Sequence, residues 1–122
     1  GLGDVYKRQL KDSTTEEAHV LFLDQNLNFV GESQISQGSP NSVDLDLHDI
    51  VIKSVRTSCT KIILTHSHPH GVLLPSSADI ASTRRAASAL NSIGIELIDH
   101  IIVNEEDSYS MRTAGMLPDI WF

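Results

Sequence analysis

Apolar and polar residues alternate along this chain with a period that changes from block to block, and each change marks an element. Residues 19–24 (HVLFLD) are a short run of strand formers, followed by the polar turn Gln25-Asn26-Leu27-Asn28 and an alternating stretch at 29–35. This spacing predicts a β-hairpin. The breakers Gly38, Ser39, Pro40, Asn41 and Ser42 end it, and Leu45, Leu47, Ile50, Val51, Ser54 and Val55 then recur at helical spacing. A helix of about three turns, ending near Cys59, is expected. Residues 61–65 (KIILT) have the pattern of a buried central strand, which delivers its C-terminal end to His66. Pro69, Gly71 and Pro75 keep the next segment irregular, and Ser76-Ser77-Ala78-Asp79 carries the Ser-x-x-acid signal of a helix start. That helix is expected to run to about residue 93 and to stop at Gly94, its C′ residue. Residues 95–103 read as a strand, 104–107 as an acidic turn and Tyr109 as part of a last short strand. The order β-β-α-β-α-β-β predicts a three-layer α/β domain with a mixed sheet flanked by helices.

Composition narrows this picture without changing it. A chain of 122 residues holds one core and not two. No apolar stretch approaches the roughly 18 to 20 residues of a membrane span, so no membrane partner is expected. The formal charge of −7 comes from 9 basic and 16 acidic residues and argues against a sequence-independent grip on nucleic acid. The single cysteine, Cys59, excludes an internal disulfide and a multi-thiolate metal site, fits a reducing cytoplasm, and is expected to be packed and inert. Histidine and carboxylate remain as metal ligands. Residues 4–9 (DVYKRQ) read like translated adapter sequence, so residues 1–9 are expected to be a non-native or disordered leader and 10–122 the folded domain.

His66-Ser67-His68 sets two imidazoles two residues apart, so an extended backbone projects both to one side. Asp79, eleven residues beyond His68 on the first turn of the next helix, can fold back as a third, anionic ligand. Two nitrogens and one carboxylate leave the fourth tetrahedral position for water, the arrangement of a single catalytic zinc. Zinc lowers the pKa of such a water to about 7 and supplies a nucleophile at neutral pH. Ser76, at the same helix start, carries a hydroxyl that can donate to the oxyanion formed when a carbonyl is attacked. It also has a plainer use as the helix N-cap, worth about 1 kcal/mol.

Residues 66–79 (HSHPHGVLLPSSAD) match the JAMM signature H-x-H-P followed by P-S-x-x-D, and the chain thereby resembles the JAB/MPN metallopeptidases. The stretches KIILTHSHP, IGIELIDHIIV and VLFLDQNLNFVGE are similar to the RadC branch of that superfamily, over about residues 16–115. The resemblance implies a cytidine-deaminase-like JAB/MPN fold and a zinc-dependent hydrolase acting on an amide or isopeptide bond of a peptide or protein. It also implies a glutamate general base at the start of the first strand. Counting back eight residues from Asp24 lands on Glu16, with Glu17 adjacent. Two departures stand out from the family's usual H-N-H-P-S-G: Ser67 replaces Asn, and the bulky, titratable His70 replaces Ser. His19, His48 and His100 are read as structural, and Arg84-Arg85 and Glu105-Glu106-Asp107 as solvated faces. The alternative functions are a non-catalytic MPN-type scaffold or DNA-associated accessory domain, and a metal-dependent nuclease, against which the acidic balance speaks.

Overall fold

A computed structural model describes residues 17–35, 46–68 and 73–117 of the chain. Strand formers on either side of a polar turn build the first hairpin, in which β1 (Ala18–Leu23) and β2 (Phe29–Ile35) pair antiparallel. The turn is held by the Asp24 carboxylate, which accepts from the N–H groups of Asn26 and Asn28, both at 2.9 Å. Leu27 sits in it at a φ of 65°, in the left-handed region that β-carbon sterics disfavour.

The first helix, α1 (Leu47–Thr57), starts where the Asp46 carboxylate accepts from Asp49 N–H at 3.0 Å and ends at a left-handed Ser58. Ile50 and Ser54 form its buried face, whereas Val55, which shares their helical spacing, is 56% exposed. Cys59 packs just beyond it, its Sγ near Ser54 C=O at 3.5 Å and its thiol pKa pushed up by burial, as an inert core thiol requires.

The apolar run at 61–65 becomes β3 (Lys61–Ser67), followed by α2 (Ser77–Asn91), β4 (Glu96–Val103) and the short β5 (Ser108–Ser110). Gly94 closes α2 as its place in the sequence predicts. Its φ is 80°, its N–H reaches Asn91 C=O at 3.1 Å, and Ile95 N–H reaches Leu90 C=O at 2.9 Å, the two bonds of a Schellman motif. The five strands lie in the order β2-β1-β3-β4-β5, with β3 and β4 parallel and the other pairs antiparallel. This is the mixed sheet and α/β class expected from the element order.

Both faces of the central strands are buried, as a layered domain requires. On one face Ala18, Val20, Phe22, Ile62, Leu64 and Leu97 pack with Ile50 of α1 and Ala87 and Leu90 of α2. On the other, Leu21, Ile101 and Val103 form a second buried cluster with Ile63 against it. One irregularity sets which residues of β4 meet the helices. Ile62 pairs with Leu97 but Ile63 pairs with Asp99, so a bulge at Ile98 inserts one residue into β4. An extra residue inverts the alternation beyond it. His100 and Ile102 therefore face the helices, while Asp99, Ile101 and Val103 face away. No helix among the described residues is long and apolar enough to cross a membrane.

Candidate metal centre

The parallel pair β3–β4 and the start of α2 bring the motif together. His66 lies in the last turn of β3's alternation, paired with Ala18 on one side and Ile102 on the other, and is 1% exposed. His68 follows two residues on, with its N–H on Val103 C=O at 2.7 Å extending the ladder. The two rings stack edge to face with centroids 4.3 Å apart, so both imidazoles project to one side as their spacing predicts.

Asp79 enters from α2 through a capping box. Ser76 Oγ accepts from Asp79 N–H at 3.1 Å, and Asp79 Oδ2 accepts from Ser76 N–H at 2.9 Å. This reciprocal pair commits one oxygen of Asp79 and leaves Oδ1, buried, with no hydrogen-bond partner among the described residues. Both ring nitrogens of His66 are likewise buried and unpartnered there. Burial is the main force that pushes the His66 pKa down to about 4; the neighbouring His68 acts in the same direction and Asp79 against it. The ring is neutral at pH 7, with a lone pair available to a cation.

Buried, unsatisfied polar atoms are costly, and here they belong to the imidazole of His66 and the carboxylate of Asp79, which with the adjoining ring of His68 make up the donor types of a catalytic zinc. In this sense the residues fit the metal. They are neighbours and not yet a closed coordination group: no three His, Cys, Asp or Glu side chains among the described residues are gathered tightly enough to hold an ion.

Three further sequence readings meet the structure here. Ser76 is exposed and is the N-cap of α2, and its hydroxyl hydrogen is not committed by the capping contact. Glu16 and His70 lie outside the described residues. Glu17 is described, and its carboxylate meets His19 Nε2 at 3.1 Å on the face of β1 opposite to Ala18 and His66, so it does not share the motif's side of the sheet.

Two residues that sequence reasoning set aside also belong to this neighbourhood. Ser67 is buried and clasps the main chain of Glu17, accepting from its N–H at 2.9 Å and donating to its C=O at 3.3 Å, while Ser67 N–H reaches the same carbonyl at 2.8 Å. The substitution of Asn by Ser is thus not neutral filler, because it ties the start of β1 to the link between the two histidines. His100 is buried against α2, its Nδ1 2.7 Å from Thr83 Oγ1. The bulge that turns it inward leaves no mark in a one-dimensional pattern. Asp99 beside it serves the fold, accepting from Ser110 Oγ at 2.5 Å and from Arg112 N–H at 2.9 Å.

Fold and motif together define a JAB/MPN-type domain. The chain belongs to the RadC family, and the RadC-like JAB domain matches residues 2–116. It is 32% identical over 111 residues to a UPF0758 protein of Finegoldia magna, covering 91% of this chain and 50% of that protein. It is 34% identical over 114 residues to a UPF0758 protein of Pelobacter propionicus, covering 93% and 50%. A UPF0758 protein of Porphyromonas gingivalis is 34% identical over 109 residues. The chain spans about half the length of these curated relatives. The JAB-domain family is known for metallohydrolase activity and its members often bind zinc, whereas the relatives' names state no activity or cofactor.

Proposed function

We propose that this domain is a zinc-dependent hydrolase of the metallopeptidase or isopeptidase type, binding one zinc through His66, His68 and Asp79. The observation that carries the reading is the meeting of unpartnered, buried His66 nitrogens and Asp79 Oδ1 beside His68 in a JAB-type domain. Zinc held there would supply Lewis acidity at the scissile carbonyl and lower the pKa of water to about 7.

The chain's own residues do the rest. Asp79 and Ser76 hold each other through the capping box, which sets the carboxylate's orientation before any ion arrives. Ser76 donates its hydroxyl hydrogen to the developing oxyanion, a contribution worth about 10² to 10³ in rate. With Glu17 turned to His19, we assign the proton shuttle to Glu16, which takes the proton from the attacking water and passes it to the leaving amine, for about 10² to 10⁴ in rate. The substrate in this reading is a peptide or protein, and the domain acts in the cytoplasm.

Zinc content and peptide-bond turnover of the wild type, Glu16→Gln and His68→Ala test this together. Near-stoichiometric zinc should persist in Glu16→Gln with turnover lost, and should itself be lost in His68→Ala. Full activity of Glu16→Gln removes Glu16 from the mechanism. The second reading, a non-catalytic MPN-type scaffold or DNA-associated accessory domain, draws on the ligands not being gathered into a coordination group. Absence of zinc from freshly purified wild-type protein favours it.

A further inference from the structure

His100 is 1% exposed, and its two nitrogens are treated very differently by the fold. Nδ1 lies 2.7 Å from Thr83 Oγ1, and Thr83 Oγ1 donates to Asp79 C=O at 2.7 Å. A hydroxyl has one hydrogen to give. Since that hydrogen goes to a carbonyl, which can only accept, Thr83 Oγ1 must accept from His100, and the proton of the imidazole sits on Nδ1. Nε2 is then a bare acceptor. It is buried with no hydrogen-bond partner among the described residues.

The ring nearby with a hydrogen to offer is His66. The β4 bulge sets His100 beside Leu64, one alternation from His66 on the same face, and the two ring centroids are 6.2 Å apart at an interplanar angle of 31°. The two rings are neighbours in the same buried layer. A neutral imidazole has one N–H and one lone pair, and both nitrogens of His66 are buried and unpartnered.

We propose that His100 is a positioning residue for His66: its Nε2 accepts the hydrogen of one His66 ring nitrogen, which fixes the tautomer and presents the other nitrogen's lone pair to the metal. The value of this contact to metal binding rests on the reading of His66 as a ligand. The chain Asp79 C=O, Thr83, His100, His66 then couples the main chain of one ligand to the ring of another through α2 and β4. Partners of this kind beyond the ligands themselves are typically worth 10- to 100-fold in metal affinity.

The test uses the full chain. Long-range nitrogen–proton NMR of the imidazoles in metal-free protein should show His100 protonated on Nδ1, and His66 in a single tautomer with a slowly exchanging ring N–H. In His100→Leu, with Zn²⁺ affinity measured by competition with a chromophoric chelator, His66 should sample both tautomers and zinc should bind 10- to 100-fold more weakly. Thr83→Val, a smaller change, should release the His100 tautomer and weaken zinc in the same direction. A proton on His100 Nε2, or mixed His66 tautomers in the wild type, would overturn the inference. So would zinc affinity and a His66 tautomer unchanged by His100→Leu, or a shift of His100 Nε2 to a metal-bound value on zinc addition, which would make it a ligand. If the wild type takes up no zinc, the hydrolase reading fails on that result alone, while the metal-free tautomers still decide the role of His100.

Discussion

Ser76 is the N-cap of α2 and the proposed oxyanion donor, and a substitution can separate the two roles. As N-cap its Oγ accepts from Asp79 N–H at 3.1 Å, which leaves the hydroxyl hydrogen uncommitted for the proposed oxyanion role. Glycine is tolerated at N-cap positions for only a few tenths of a kcal/mol. Ser76→Gly is therefore expected to leave the thermal midpoint almost unchanged while turnover falls about 10² to 10³-fold; equal activity of the two proteins would confine Ser76 to capping. The buried imidazoles have a pH signature of their own. His66 and His100 have folded pKa values of about 4 and about 3, below the ordinary 6.5. Beneath pH 6.5 the unfolded chain binds protons that the native protein does not, so stability is intact above that pH and is lost as pH falls towards 4 and then 3. Each group adds a slope of about 1.4 kcal/mol per pH unit within its window. Urea midpoints of metal-free protein measured from pH 7 to pH 4 should fall accordingly, and a flat profile would contradict the burial of both rings.

The elements carry their own strain and stops. Gly94 meets its left-handed φ without cost, but Leu27 in the β1–β2 turn adopts φ 65° with a branched side chain that is 54% exposed. A left-handed residue bearing a β-carbon costs roughly 1 to 2 kcal/mol, partly offset by the larger unfolded-state entropy of glycine. Leu27→Gly is thus expected to raise stability by up to about 1 kcal/mol in denaturant unfolding; a lower midpoint would show that the Leu27 side chain makes contacts that outweigh the strain. At this scale the sequence was highly legible. The apolar runs at 19–24 and 61–65, the alternating stretch at 29–35 and the Ser-x-x-Asp start mark β1, β3, β2 and α2, because each signal is carried by residues close in sequence. Val55 shares the helical spacing of the buried Ile50 and Ser54 but is 56% exposed, because spacing alone does not say how wide a stripe the sheet covers.

For the whole molecule, the proposed zinc site would link metal binding to folding. If zinc joins residues from β3 and α2 only in the native state, zinc at 100 times its dissociation constant should add about 2.7 kcal/mol, a rise of roughly 10 °C in the melting temperature of a domain this size. A chelator should reverse it, and His68→Ala should abolish it. An unchanged melting temperature would argue against a native-state site. The acidic surface has no part in this effect, so it should survive moderate salt.

By itself the sequence determined the chemistry available, which is two imidazoles on one side of a strand, a carboxylate at the next helix start, and no thiolate partners. It determined the family as well, since JAMM spacing is a local pattern of residue types. Only the tertiary structure decided what surrounds those residues. It turned Glu17 to His19, closed Ser67 onto the main chain of Glu17, and through one bulge in β4 swung His100 from the outer face to the side of His66. Those outcomes depend on strand register and on pairing between segments 17 to 50 residues apart, and a one-residue slip, invisible in composition or periodicity, reverses the face of every side chain beyond it.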